Sequence, residues 1–564
     1  MSGVKFKFDT DRDILSLDMT TVRKECMDYL KDNINKKRKG FFAMSLQMRR
    51  MWGDEDTLIK NNVVAPMSSF YYLHKLISDV DETETKIEDY PYYNNAVSAD
   101  EIKAFINYVF ANVKGENGKE FKPYDTQIGC VVEFIQKMRG IGEVPTSGGK
   151  TLIAYLTYLC ILKFVPDCGN VAYVVPSKSL LEQVASDWAT FNQMINTAFD
   201  NRPDFRLPEV HMLAKDYTKD NPSWKHNKAT NIAVVGTRKS WAAVSPTYAS
   251  FFRTLIFDEV HMSNNNESDT ILDMFISCPY RLGMTATVPD TKFSDGVKLR
   301  WKWGAPIFTT TVDEMVSAGK CVNVDVLQVF INTTTQKQME VMAGACTMLK
   351  KAKKYTDMLR IEQSYLQKSS DRLDILTGIV KSIQSGKTHV DEDNMLFVFE
   401  HVEMGHIVYN HLQSNFPEYE CFYIDGSTSK NMREEVRTYM DTHPKCILVG
   451  SQRCIGTGFS VKNLRYAVLV EGWSSSVTTA QVVGRLMRKH ESKEGRNSII
   501  VDIVDYLYPD CYMIRQGKER MKAFSAEFDK AKSAVYVFDT STKTGKWTNI
   551  YTAESNYGYK YFTK

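Results

Sequence analysis

No C-x-x-C pair occurs in this chain, although eleven cysteines are scattered through it, at Cys26, Cys130, Cys160, Cys168, Cys278, Cys321, Cys346, Cys421, Cys446, Cys454 and Cys511. Several sit inside apolar runs. That removes the usual zinc-ribbon and dithiol readings and leaves buried free thiols, as expected in a reducing cytosol. A run of ~18 apolar residues is also missing, so no helix is expected to span a membrane. The opening MSGVKFKFDTDRD lacks the apolar core that a signal peptide needs, and a cytoplasmic location is expected. Neither sign of charge is in excess: 71 Lys and Arg against 68 Asp and Glu leave a net +3 and a pI of about 8.1. Such a balance excludes a globally basic chain, so any basic surface must be local. Internal repeats, low-complexity tracts and a PD-(D/E)xK-like cluster are absent too, and the last absence counts against a nuclease.

What is present is an ordinary globular composition, 43% hydrophobic, 25% charged and 12% aromatic, which allows large buried cores. At 564 residues, and ~100–200 residues per domain, about three or four domains are expected. Residues 1–112 carry mixed patterns and read as a small α+β accessory domain; the polar stretch 113–120 reads as a linker. Short β-branched runs then alternate with longer helical patterns, the mark of a parallel sheet wrapped by helices. One block, 113–320, holds candidate strands at 142–144, 171–175, 232–235, 255–257 and 281–284. A second block, 321–505, holds candidate strands at 396–399, 421–424, 446–449, 466–470 and 498–504. The stretch 333–394 is helical and charged, including 348–360 and 372–383. The expected fold is α/β, two parallel-sheet domains in tandem, the plan of a two-lobed motor. Residues 506–564 open with a helical pattern at 513–531 and end in an aromatic tail, 551–564, with no assignable fold.

Pro145-Thr146-Ser147-Gly148-Gly149-Lys150-Thr151 follows the first candidate strand and opens an apolar helix. Glycines let backbone N–H groups close on phosphate oxygens, and a helix N-terminus favours negative charge. In such a loop Lys150 reaches the β- and γ-phosphates and Thr151 binds Mg²⁺. Val144 stands where the general G-x-x-x-x-G-K-[ST] pattern has its first glycine. Further on, Asp258-Glu259-Val260-His261 ends the apolar run Thr254-Leu255-Ile256-Phe257. Two adjacent acids at a strand end suit a nucleotide hydrolase, with Asp258 on Mg²⁺ through water and Glu259 as the base for the attacking water. His261 is expected to couple this site to Thr285-Ala286-Thr287, whose Thr285 and Thr287 hydroxyls follow the strand at 281–284, a core or capping histidine being the alternative. A chance glycine turn or a solvated acidic turn explains either piece alone, but not both in this order.

Gln481-Val482-Val483-Gly484-Arg485-Leu486-Met487-Arg488 puts two arginines three apart, on one face of a helix. Set across a cleft from the phosphate loop, Arg485 and Arg488 would neutralise charge developing on the γ-phosphate. A basic surface helix is the bland alternative. Gln481 is counted with the same catalytic set. Upstream, Gly456, Thr457, Gly458 and Ser460 follow the strand at 446–449; Gly458, as a nucleotide contact, and Ser460 are candidate sensors, and an ordinary loop is the rival reading. Nucleic-acid contacts are expected from loops at one rim of each sheet. In the first block these are Pro176, Ser177 and Lys178, then Gly236 and Thr237 with Arg238 and Lys239; in the second they are His401, Gly426, Ser427 and Thr428. Small residues, hydroxyls and backbone N–H groups bind phosphates without reading bases. The runs Lys350, Lys351, Lys353, Lys354 and Lys36-Lys37-Arg38-Lys39 read as solvated helix faces.

In this order the motifs resemble those of superfamily 2 helicases and, among them, the UvsW-type helicases of T-even-like bacteriophages. The carrying segments are 145–151, 174–183, 235–237, the DEAH-like 258–261 and 283–287, then 397–401, 457–464 (TGFSVKNL) and 481–490 (QVVGRLMRKH). The resemblance covers about 120–505. It implies tandem RecA-like domains, ATP and Mg²⁺ as cofactors, and unwinding or branch migration of forks, junctions or R-loops in phage replication, recombination and repair. It also places Gln127, in Pro123-Tyr124-Asp125-Thr126-Gln127, at the adenine edge. Met51-Trp52-Gly53-Asp54, Leu58-Ile59-Lys60 and Val64-Ala65-Pro66-Met67 resemble the small domain that precedes the core in that family and touches duplex DNA. The family's Trp-Asp-Gly order reads Trp52-Gly53-Asp54 here. Expected partners are branched or duplex DNA, RNA as the alternative, and phage recombination or replication proteins, with a monomer in the host cytoplasm favoured. The motifs alone leave three rivals: an RNA-directed helicase, the motor subunit of a restriction or packaging machine, and a nucleotide-dependent binding protein that does not hydrolyse.

Overall fold

Between Phe252 and Asp258 every residue except Arg253 is buried, and successive side chains enter different cores. Ile256 joins one hydrophobic cluster, while Leu255 and Phe257 join another. A period of two that feeds apolar groups to both faces is what a strand covered on both sides by helices requires. The computed structural model describes residues 3–37, 55–56, 58–59, 62–94, 96–115, 118–145, 148–165, 169–213, 232–332, 334–351, 355–384, 393–456, 461–472, 476–508, 511–527, 533–539 and 544–547. They divide into two units, Met1–Thr310 and Thr311–Lys564.

The first unit is built on a seven-stranded, wholly parallel sheet, in the order Pro306–Thr309, Arg139–Glu143, Tyr280–Thr285, Phe252–Asp258, Asn170–Val175, Ile232–Thr237, Glu209–Met212. Helices Asp125–Lys137, Lys150–Phe164 and Lys178–Ala198 contribute to one core, and Asn266–Met274 and Ser294–Trp303 to the other. Two edge strands, Glu209–Met212 and Pro306–Thr309, went unread in the sequence because they are short and half exposed. The strand before the phosphate loop starts at Arg139, not 142. Its apolar pattern is broken by Gly140, Gly142 and a fully buried Arg139.

A small antiparallel sheet, Phe6–Asp9, Ile14–Leu17 and Val64–Pro66, opens the unit. Its core takes in helices Lys24–Ile34 and Phe70–Ser78, together with Val297 and Trp301 from Ser294–Trp303. Asp13 locks it to the large sheet. Its two carboxylate oxygens accept from Arg139 at 2.5 Å and from Arg281 at 2.7 Å. Both guanidiniums are buried and also donate to backbone carbonyls of Phe275, Ile276, Cys278 and Pro279. Two cations sharing one buried acid fix the amino ends of the strands that lead to the phosphate loop and to Thr285. Helix Ala99–Val109 packs into the core of the large sheet, and the expected linker carries a Lys114–Glu120 bridge. Lys36 and Lys37 lie in a two-residue strand against Glu55–Asp56, not on a helix face; Arg38, Lys39 and 51–54 lie outside the described residues.

The second unit holds an eight-stranded sheet: Glu420–Ile424, Cys446–Ser451, Met395–Phe399, Tyr466–Leu469, Ser498–Asp505, Val324–Asn332, Ser533–Asp539, Thr544–Trp547, parallel except for the last pair. The strand Val324–Asn332 is a correction to the sequence reading. Its apolar run is interrupted by Gln328, whose buried amide donates to Asp502 at 3.0 Å and to the Gly517 carbonyl at 3.2 Å. The region read as helical and charged forms Gln336–Lys351, Tyr355–Lys368 and Ser370–Gln384, which help close the second core. Lys350 and Lys351 are exposed in the last turn of the first of these helices. After helix Tyr512–Glu527 come two further strands, not the unassigned tail alone. The described cysteines are all free, Cys421 half-buried and the rest buried. Among the described residues no helix is long and apolar enough to cross a membrane. The architecture is two parallel-sheet α/β domains of the RecA-like kind with a small antiparallel N-terminal sheet.

Candidate active site

Gly149 caps helix Lys150–Phe164 with a φ of +76°, a conformation that disfavours any side chain. A Cβ there would lie 2.2 Å from Gln127 Nε2. The Gln127 side chain is buried under the loop: Nε2 donates to the Gly148 carbonyl at 3.0 Å, and Oε1 accepts from the Tyr124 N–H at 2.9 Å. Gly148 N–H in turn donates to the Pro145 carbonyl at 2.9 Å. Both ends of the Gln127 carboxamide are therefore engaged within the protein, which makes it a brace for the phosphate loop. The sequence had suggested an adenine contact. Helix Lys150–Phe164 is buried on all sides from Leu152 to Ile161, so the loop ends on an element that cannot shift without disturbing the core. Thr146 and Ser147 lie outside the described residues.

The Lys150 ammonium lies 3.7 Å from Glu259 Oε1 and 3.4 Å from the Val144 carbonyl. Asp258 is buried, and its carboxylate accepts the Glu259 N–H at 2.9 Å. Burial first, and the Glu259 charge next, push the Asp258 pKa up against the pull of Lys150. A buried acid that resists ionisation is a natural setting for a divalent cation. The Asp258 carboxylate and the Thr151 hydroxyl are hard oxygen donors of the type Mg²⁺ takes. With Lys150 beside Glu259, this donor set fits a magnesium–nucleotide complex.

Glu259 itself sits in the left-handed region, at φ 50° and ψ 52°, a strain of about 1–3 kcal/mol for a side chain that is not glycine. The turn Val260–Met262 holds it there, with Met262 N–H donating to the Glu259 carbonyl at 3.0 Å. His261 Nδ1 lies 3.2 Å from Glu259 Oε2 and 2.8 Å from Thr285 Oγ1. The Thr285 hydroxyl donates to the Thr287 carbonyl at 3.1 Å and accepts the Thr287 N–H at 3.2 Å. Lys150, Glu259, His261, Thr285 and Thr287 thus form one continuous line of contacts at the carboxyl ends of parallel strands, where open α/β sheets bind ligands. Glu143, missed in the sequence, ties the end of this line to the strand before the phosphate loop by accepting the Val288 N–H at 2.9 Å. An acid ending a strand just ahead of the loop was the available signal.

On the same rim, Pro176 and Ser177 follow Asn170–Val175. Ser177 Oγ accepts the Leu180 N–H at 3.3 Å, and Lys178 is exposed. A Cβ on Gly236 would lie 2.7 Å from Trp241 Nε1, so this glycine answers to packing and not to ligand approach. Thr237 Oγ1 accepts the Ser240 N–H at 3.3 Å.

In the second unit, Arg485 lies on helix Ser476–Leu486 with Gln481, but Arg488 does not. The helix stops because the Leu486 carbonyl accepts from Lys493 Nζ and from Ser498 Oγ, both at 2.9 Å. The two arginines are half-buried and project from a helix and from the turn after it, not from a single helical face. Thr457, Gly458 and Ser460 lie outside the described residues. His401 is held by Glu471, missed in the sequence although an acid directly follows an apolar strand. Glu400 and His401 N–H groups both donate to Glu471 Oε2 at 2.8 Å, and His401 Nδ1 lies 3.1 Å from Glu471 Oε1. The Glu471 hydrogen bond holds the His401 pKa above its ordinary value, and Gln363 lies 3.0 Å from the other ring nitrogen. Gly426 faces open space. The Ser427 N–H and hydroxyl both go to Asp425 Oδ1, at 2.8 and 2.6 Å, so neither is free for a phosphate as the sequence suggested.

Comparisons with known proteins agree with this layout. Residues 120–290 match the family model described as type III restriction enzyme, res subunit, and residues 371–490 match the helicase conserved C-terminal domain. The ATP-dependent DNA helicase UvsW of Enterobacteria phage T4 is 23% identical over 430 residues, covering 72% of this chain and 76% of that protein. A probable ATP-dependent RNA helicase, DDX60-like, of Homo sapiens is 30% identical over 193 residues, covering 32% of this chain and 10% of that protein. Among solved structures, the ATP-dependent type ISP restriction-modification enzyme LlaBIII bound to DNA superimposes with a TM-score of 0.53 at 16% identity, over 75% of this chain and 32% of that one, a likeness of fold. With both helicase domains matched, the chain is a superfamily 2 helicase, an ATP-dependent, nucleic-acid-acting relative of UvsW.

Proposed function

We propose that this chain is an ATP-dependent DNA helicase or translocase that unwinds or branch-migrates forks, junctions or R-loops in phage replication, recombination and repair. The carrying observation is the line from Lys150 through Glu259 and His261 to Thr285, which joins a phosphate-holding lysine to a loop on the neighbouring strand. Gly148, Gly149 and Lys150 hold the β- and γ-phosphates. Glu259 takes the proton of the attacking water. Asp258 and Thr151 would hold Mg²⁺, which supplies charge neutralisation on the phosphate oxygens when bound. Arg485 and Arg488, with Gln481 shortly before them in sequence, are assigned to the charge that develops on the γ-phosphate, and Gly458 to the nucleotide. Thr285 and Thr287 relay the state of Glu259. Pro176, Ser177, Lys178, Thr237, His401 and Gly426 are assigned to the phosphodiester backbone, and 1–112 to duplex contact.

The phage relative is a DNA helicase, whereas the DDX60-like relative is named as an RNA helicase and is 30% identical over its shorter match. ATP turnover measured with forks, four-way junctions, R-loops and single-stranded RNA separates the two readings. Branched DNA is expected to stimulate most, and preferential stimulation by RNA would replace this reading with the other.

A further inference from the structure

Arg238 follows Thr237, where the strand Ile232–Thr237 ends at the rim, yet its guanidinium reaches elsewhere. It crosses the intervening strand Asn170–Val175. Nη1 donates to the Met262 carbonyl at 2.7 Å, and Nη2 lies 3.5 Å from Met262 Sδ. Met262 closes the turn that carries His261, and its N–H holds the Glu259 carbonyl at 3.0 Å. Arg238 therefore grips the far end of the turn that keeps Glu259 in its strained conformation. The same carbonyl takes Asn265 Nδ2 at 2.7 Å, so the turn has a second, uncharged anchor.

The charge of Arg238 is poorly compensated. It is half-buried, and no carboxylate lies within ion-pair distance of it among the described residues. Burial lowers its pKa, and Glu267 and Glu259 offset this only through longer-range attraction. A guanidinium carries five N–H donors in a flat fork. The contacts to Met262 use one donor on each of Nη1 and Nη2 and leave the other donors of the fork for a further acceptor.

We propose that Arg238 is a positioning residue that reports a bound nucleic-acid phosphate to the ATPase turn, one side of its fork taking a phosphodiester oxygen while the other keeps the Met262 carbonyl. This rests on the reading in which Glu259 activates water, and adds the physical link by which nucleic acid raises turnover. A phosphate on Arg238 stiffens the hold on Met262 and so fixes Glu259 and His261. No bond forms or breaks; the effect is one of orientation.

The test compares Arg238→Lys, Arg238→Ala and Glu259→Gln in the full chain, using forked DNA as the probe. Readouts are turnover with and without DNA, DNA binding by fluorescence anisotropy across a salt series, and the thermal midpoint. Lysine keeps the charge but cannot serve two acceptors at fixed angles. Arg238→Lys should bind DNA within about threefold of wild type and lose about tenfold or more of the ratio between stimulated and unstimulated turnover. Arg238→Ala should also weaken binding and lower the salt slope by about one. Full stimulation in Arg238→Lys would overturn the proposal. So would a parallel fall of both rates and the thermal midpoint, which marks a brace only. Glu259→Gln separates the two levels: if it turns over normally, the underlying reading fails; if it is inactive while Arg238→Lys is fully stimulated, only the link fails.

Discussion

The His261 imidazole lies 2.8 Å from the Thr285 hydroxyl while its same nitrogen stays 3.2 Å from the Glu259 carboxylate. One ring thus touches both the acid assigned to the attacking water and the loop after the neighbouring strand. His261→Ala is expected to keep ATP binding and part of the hydrolysis but to lose strand separation per ATP consumed. Thr285→Ala should do the same, and the double variant should be no worse than either alone. A double-mutant cycle on unwinding checks this, because groups in contact couple by about 0.5 kcal/mol or more. Strictly additive losses would show that the contact carries no signal.

Gly149 and Gln127 compete for one space. Gly149→Ala must either push the carboxamide off the Gly148 carbonyl or leave the +76° backbone, at a cost of about 1–3 kcal/mol. ATP affinity should therefore fall by about tenfold or more, by calorimetry. Gln127→Ala should weaken ATP and GTP to similar degrees, since the brace serves the phosphate loop. Loss of ATP preference over GTP alone would restore the adenine-edge role.

Asp13 is the only acid between Arg139 and Arg281 in their hydrogen-bond contacts among the described residues. Removing one partner of a buried ion pair costs about 3–5 kcal/mol because the remaining charge is uncompensated. Asp13→Asn keeps the shape and tolerates the positive φ of 56°. A loss of that size is expected in denaturant unfolding of the first unit, followed by tryptophan fluorescence. An unchanged midpoint would mean that the small sheet is not locked to the large one through this residue.

The ATPase half of the molecule was legible because its chemistry is written in contiguous residues. A glycine pair before Lys150, two acids after an apolar run and a Thr-x-Thr after the next strand each announce a local geometry. Asp13 left no such trace, since its partners lie 126 and 268 residues away and their pairing exists only in the folded chain. The end of the Arg485 helix was hidden for a related reason: Lys493 and Ser498 stop it from outside the helix. Strand Val324–Asn332 escaped because Gln328 looks polar until Asp502 and the Gly517 carbonyl accept its amide. The inward hydrogen bonds of Gln127 and Ser427 were not legible because spacing does not encode side-chain direction.

Lys493 is almost fully buried beside Arg488. Burial first, and the Arg488 charge next, lower its pKa from the ordinary 10.5 to about 7, while Cys321 and Asp441 pull it back up. The unfolded chain then binds more protons than the folded one between about pH 7 and 10.5, so stability rises with pH across that window. Below it, Lys493 is charged in both states and the full burial penalty applies. Lys493→Met lacks this group, so the thermal midpoint of the wild type should gain on that of the variant as pH is raised from 7 to 10. Parallel midpoints across the range would show an ordinary solvated lysine.

The central claim is that Glu259 activates water for ATP hydrolysis coupled to nucleic acid. The most direct measurement is single-turnover ATP hydrolysis by Glu259→Gln with saturating forked DNA, alongside ATP binding by the same protein. A positioned general base contributes about 10²–10⁴-fold, so hydrolysis should fall by that much while ATP affinity stays near wild type. Hydrolysis at the wild-type rate would contradict the account.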